Sequence, residues 1–182
     1  MEKILFIHVD SKPDTSVFSN LYKDIKGANC KILYNPRKSE VRHELHDFTY
    51  TKIIIIGHGD INGLYDKDWK GYVIDSSLVQ LLREHNNVVG IWCYATEFAR
   101  RYGLHGFYTS MFISNADEAT ECGFSDCNEQ DIEKNAIIFC ERIKTLINVG
   151  FPMDVWYDYF IEQPENKEPY VKYNYEAMEF FE

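Results

Sequence analysis

No two cysteines in this chain have CxxC spacing, and the five present (Cys30, Cys93, Cys122, Cys127, Cys140) are odd in number and scattered. That argues against a disulfide scaffold or a cysteine-rich zinc site and makes reduced thiols the default. No apolar run approaches the roughly 20 residues that a membrane-spanning helix requires. No block of lysine and arginine offsets the formal charge of -10, so neither a nucleic acid nor a membrane is expected as partner. The opening "MEKILFIHVDSKPD" closes its short apolar run on His8, Val9 and Asp10 rather than on a small-residue cleavage site. It reads as a strand, not a signal peptide, and the expected location is cytoplasmic. Internal repeats, low-complexity segments and a glycine-rich phosphate loop after the first strand are missing as well.

What is there is core-forming material. With 182 residues and 45% hydrophobic content, the chain is long enough for one sizeable core and short for two. A single domain spanning 1–182 is expected, with its core at about 1–150 and a helical, aromatic extension at about 151–182. Short β-rich runs alternate with helical ones, the signature of an α/β domain on a parallel sheet. Strands are expected at 3–9, 30–36, 52–57, 87–93 and 106–114, with helical segments around 16–25, 75–85, 94–103, 129–150 and 153–163. The run "GLYDKDWKGYVI" has hairpin chemistry. The tail from Pro164 carries no clear pattern.

In open α/β sheets, sites form beyond the carboxyl ends of the strands. "KIIIIG" ends immediately before His58, and "NVVGIWC" ends on Cys93. If the two strands are parallel neighbours, about 4.8 Å apart, a thiol and an imidazole leave the sheet at the same edge. An imidazole can take the thiol proton, and a helix starting after Cys93 would lower the thiol pKa further. Gly59 gives its N–H close access to a substrate, and with the N–H of Cys93 it would hold the oxyanion of a tetrahedral intermediate.

A hydrophobic strand closed by His-Gly, then a second closed by Cys, resembles the clan CD cysteine peptidases, the caspase-like fold. The matching segments are "IIIIGHGDING" and "VVGIWCYA". The resemblance implies a three-layer α/β sandwich with a mostly parallel central sheet of flavodoxin-like strand order, flanked by helices. It also implies a cysteine endopeptidase acting on peptide or protein substrate, with His58 as general base and acid and Cys93 as nucleophile. No metal or organic cofactor is required, and a homodimer is compatible with it. Asp60, Trp92, Tyr94, Glu97, Ser114 and Asp117 are the expected cleft-lining residues. Caspases carry Gln-Ala-Cys-x-Gly at the nucleophile, whereas Trp92 and Tyr94 stand beside Cys93 here and are expected to narrow the cleft. The alternative is a catalytically silent caspase-like module that binds a partner protein, with those two side chains filling the cleft. A flavodoxin-like domain with a small ligand at the switch point is a third reading.

Other motifs carry less. "HELH" at 43–46 lacks HExxH spacing, and "DINGLYD" places its glycine wrongly for a calcium loop. Cys122, Cys127 and His105 could suit a metal, although packing explains the cysteines better. His8 is expected to be a satisfied structural histidine near the same sheet edge.

Overall fold

The computed structural model describes residues 2–11, 15–26, 28–163 and 167–182; Pro164, the expected start of the tail, lies outside them. The chain order is β1 (Glu2–His8), β2 (Ala28–Tyr34), α1 (Lys38–Leu45), β3 (Lys52–Ile56), β4 (Gly59–Asp60), β5 (Gly63–Tyr65), β6 (Tyr72–Ile74), α2 (Val79–Arg83) and β7 (Val88–Ile91). There follow α3 (Ala95–Tyr102), β8 (Gly106–Tyr108), α4 (Ala116–Glu121), α5 (Glu129–Val149), α6 (Trp156–Ile161), α7 (Pro169–Glu176) and β9 (Glu179–Phe181). Short 3-10 helices cover Ser16–Leu21, Ser76–Leu78 and Met153–Val155.

Six strands form one sheet in the order β2-β1-β3-β7-β8-β9, parallel throughout except for the last pair. The fold class is therefore α/β on a mostly parallel sheet. β3 sits at its centre, and all five of its residues are buried. Because side chains alternate along a strand, a uniformly apolar run must be covered on both sides. Ile54 and Ile56 face one core with Ile4, Phe6, Val89 and Ile91, under the 16–21 turn, α5, α6 and α7. Ile53 and Ile55 face the other with Leu5, Ile7 and Val88, under α1, α2 and α3. Each such isoleucine contributes roughly 1.5–3 kcal/mol by leaving water, so the four-isoleucine run fixes β3 on the sheet axis. A separate three-stranded antiparallel sheet, β4-β5-β6, carries the expected hairpin.

Helix ends follow local chemistry. The Asp75 carboxylate accepts from the Ser77 N–H (3.0 Å), and the Asn128 side chain accepts from the Asp131 N–H at the start of α5 (2.9 Å). Gly103 and Gly150 close α3 and α5.

Two expected strand ends needed correction. The strand expected to reach Cys93 ends at Ile91, and the one expected to reach residue 114 ends at Tyr108. Just beyond the last pair, the Thr109 N–H still donates to the Gly90 carbonyl (2.9 Å), and its hydroxyl donates to the Trp92 carbonyl (3.0 Å), tying the loop after β8 to the turn after β7. The helical segment expected around 16–25 is a 3-10 helix over Ser16–Leu21. Among the described residues, no helix is long and apolar enough to cross a membrane.

Candidate active site

The Gly57-His58-Gly59 loop begins where β3 and β7 run side by side, Ile56 beside Ile91. Gly57 has φ +151°, and a Cβ there would lie 2.6 Å from the Val9 carbonyl oxygen, so the position suits only glycine. His58 follows, 5% exposed. Its Nδ1 lies 3.6 Å from Glu118 Oε1, an ion-pair separation rather than a hydrogen bond. Glu118 is itself held. Its Oε2 accepts from the Ser114 N–H (2.7 Å) and hydroxyl (2.9 Å), and its own N–H donates to the Asn115 side chain that caps α4 (2.9 Å). On another side the Trp69 ring lies 5.3 Å from the imidazole, tilted by 34°.

Cys93 occupies the turn between β7 and α3. Its Sγ points toward the Phe112 carbonyl at 3.9 Å. His58 and Cys93 line one cavity with Thr15, Phe18, Gly57, Ile91, Trp92, Phe112 and Ser114. The cavity measures about 10 Å³, which is room for about one water.

No protein-family model and no curated protein matches the chain. What the site can do therefore rests on its own geometry.

The thiol is not poised in this closed arrangement. Burial, and then the Glu118 carboxylate, push the Cys93 thiol up to about 12. The expected lowering by α3 is overturned. The helix begins only at Ala95, after Tyr94 in a left-handed conformation (φ 65°), and desolvation outweighs a dipole felt from outside the first turn.

Of the two bulky neighbours, Trp92 lines the cavity as expected and Tyr94 does not. Trp92 does not fill the cleft from the solvent side. It is 2% exposed and packs in the core against Phe98 and Tyr108, lining the cavity from beneath, while its indole N–H donates to the Asp60 carbonyl (3.3 Å). Tyr94 is 42% exposed and does not line the cavity. Gly59 is expected to open access to a substrate, but its missing side chain also has a packing reason. A Cβ there would lie 2.4 Å from both Trp92 Cδ1 and the Gly63 carbonyl oxygen.

Of the remaining cleft-lining candidates, only Ser114 reaches the cavity. Asp60 accepts from the Tyr65 and Tyr72 hydroxyls (2.9 and 3.0 Å) and from Asn62. Burial would raise its carboxyl, yet these hydrogen bonds hold it below the ordinary range. Glu97 accepts from the Thr96 and Ser110 hydroxyls, and Asp117 is exposed on α4. His8 is fully buried, with Nδ1 3.1 Å from the Tyr22 hydroxyl and Nε2 donating to the Thr15 carbonyl (3.2 Å). Of the "HELH" pair, His46 donates from Nδ1 to the Arg42 carbonyl (2.7 Å). Among the described residues, no group of three or more His, Cys, Asp or Glu is arranged to hold a metal ion.

Glu118 is the functional candidate that the sequence reading missed. The available signal was "NADE", Asn115 with a glutamate three residues on, the spacing of a capping box at a helix start.

Proposed function

We propose that the chain is a cysteine peptidase of caspase-like type, with Cys93 as nucleophile, His58 as general base and acid, and Glu118 orienting His58. The observation that carries this reading is the shared cavity: an imidazole with a partly buried carboxylate partner and a thiol face one space at the carboxyl edge of adjacent parallel strands. The 2-1-3-4-5 order of the five parallel strands, counted along the chain, is the flavodoxin-like order that this fold implies.

In this reading, substrate binding opens the cavity and His58 takes the Cys93 proton. The thiolate attacks the scissile carbonyl carbon, and the N–H groups of Gly59 and Cys93 hold the resulting oxyanion. Collapse of this intermediate breaks the C–N bond while His58 returns the proton to the leaving amine, giving a thioester. Water, deprotonated by His58, then releases the acid and the thiol. Glu118 keeps the imidazole in one orientation and balances its positive charge when it is protonated.

Two observations favour a second reading, a silent module that binds a partner protein: the roughly one-water cavity and the raised Cys93 thiol. One experiment separates them. Wild type and His58→Ala are treated with a panel of peptidyl acyloxymethyl ketones, and the labelled cysteine is mapped by mass spectrometry. Selective labelling of Cys93 that is lost in the variant supports the peptidase. Slow, indiscriminate labelling of all five cysteines favours the silent module.

A further inference from the structure

The sheet ends on β2, and that edge is open. Among the described residues β2 pairs only with β1, in unbroken parallel register from Glu2 beside Ala28 to His8 beside Tyr34. The Asn35 N–H donates to the His8 carbonyl (2.8 Å). By alternation, residues 29, 31 and 33 turn their backbone groups toward β1, while Ala28, Cys30 and Ile32 turn theirs away from the sheet. Natural edges are blunted by proline, by a bulge, or by a charged side chain held along the edge. β2 has neither proline nor bulge. Its one charged side chain, Lys31, is drawn aside to the Glu44 carboxylate on α1 (2.7 Å).

Beside this edge lies a groove of about 800 Å³, with Asn29, Cys30 and Lys31 of β2 on one wall and His43 and Glu44 of α1 on the other. It shares no lining residue with the cavity of His58 and Cys93. The two faces of the strand differ. Ala28 and Cys30 pack toward the core under α5, followed on that face by Ile32, which is 43% exposed. Lys31 and Leu33 lie on the α1 side. The carboxylates of the groove are already engaged, Glu44 by Lys31 and the Tyr50 hydroxyl and Asp47 by Lys3 and Thr49. Half of the Lys31 side chain is exposed, its ammonium has donors to spare, and His43 is exposed beside it. The surrounding charge is unlike the rest of the chain. Residues 23–46 hold six lysines and arginines against three carboxylates, whereas the remaining residues hold 13 against 26.

We infer that the β2 edge is a docking site for an acidic, extended segment of a partner protein, which adds to the sheet as a further strand. Its backbone pairs with the outward groups of Cys30 and Ile32, and main-chain hydrogen bonds of this kind give affinity while alternate side chains give specificity. Because side chains alternate, every second residue of the segment faces Lys31 and His43, where a carboxylate is favoured. The residues between face Cys30 and Ile32, where an apolar side chain is favoured. A second copy of this chain is the poorer occupant, since antiparallel pairing of two β2 strands sets two basic stretches side by side. The inference holds whether or not Cys93 is a nucleophile.

The full chain is titrated into a fluorescein-labelled peptide of alternating glutamate and valine, seven residues long and capped at both ends, and into the same peptide with lysine in place of glutamate. Anisotropy reports binding. The glutamate peptide is expected to bind about tenfold tighter than the lysine peptide at low salt, with the gap narrowing as salt screens the charges. Amide hydrogen exchange, followed by NMR on the unaltered chain, locates the contact: the N–H groups of Cys30 and Ile32 should exchange at least about tenfold more slowly with the glutamate peptide bound. Cys30→Pro removes an outward donor without touching the β1 ladder, a change that edge strands tolerate, and should abolish binding. Lys31→Gln, which leaves the backbone edge intact, should weaken it about three- to tenfold. No binding at about 1 mM peptide, equal binding of the two peptides, or unchanged exchange at Cys30 and Ile32 overturns the inference. A dimer in sedimentation that Cys30→Pro dissolves overturns it too, because a second copy is then the occupant.

Discussion

The Trp92 indole occupies the space that a side chain on residue 59 would need, and its N–H reaches the carbonyl of Asp60. The residue before the candidate nucleophile is thus fastened to the loop of the candidate base. Gly59→Ala would force a Cβ into the indole on one side and a backbone oxygen on the other. The expected cost is about 1–3 kcal/mol, read as a fall in Tm of about 3–10 °C, together with slower ketone labelling of Cys93 as the two loops separate. A variant that melts and labels like wild type would show that the loops are not coupled through this contact.

How much of this was legible follows from where each signal lies. β1, β3 and β7 could be read because strands buried on both faces leave uninterrupted runs such as "KIIII". His58 and Cys93 could be placed because such runs end abruptly at the sheet edge. α4 gives no comparable signal: of "ADEATE" only Ala119 is buried, so no periodic stripe announces the helix that delivers Glu118. β9 is three residues long and pairs only at the sheet edge. That Trp92 lines the cavity from the core side was not legible, because a sequence does not say on which side of a turn a large ring will lie. Burial against Phe98 and Tyr108 decided that.

Removing the charge at Glu118 should act on the thiol and on turnover in opposite directions. The carboxylate raises the Cys93 thiol, so Glu118→Gln lowers it and increases the thiolate fraction at any pH below about 12. Each unit of lowering is about tenfold in thiolate. Iodoacetamide labelling of Cys93 at pH 9 should therefore accelerate by about three- to tenfold. Peptide hydrolysis should slow, because His58 loses its orienting partner. Labelling that stays the same or slows would mean that Glu118 does not govern the thiol.

Phe18 closes the cavity from the segment after β1, packing edge-on to Phe112 (5.7 Å) and Phe139 (6.4 Å). Phe18→Ala should cost about 3–5 kcal/mol as a large-to-small core change. It should also admit reagent to Cys93, with labelling by iodoacetamide rising about tenfold relative to Cys30 on the edge strand β2. If Cys93 labels no faster while stability falls, Phe18 is core filling and not the closure.

Acid should expose a separate electrostatic contact far from the site. Glu44 on α1 accepts from Lys31 Nζ (2.7 Å) and from the Tyr50 hydroxyl (2.7 Å). Burial alone would raise its carboxyl, but those two partners outweigh burial and hold it below the ordinary glutamate range. A carboxyl depressed in the folded state stabilises at pH values above its unfolded pKa, and the contribution is lost as pH falls through the folded value. Half of the Lys31 side chain is exposed, so solvent screening limits the gain to about 1 kcal/mol. Glu44→Gln should thus melt about 2–4 °C below wild type at pH 7, and the gap should narrow as pH falls below the ordinary glutamate range and through the folded-state value of Glu44. A gap that stays constant from pH 7 to pH 3 would show that the charge on Glu44 adds nothing, leaving only the neutral hydrogen bond to Tyr50.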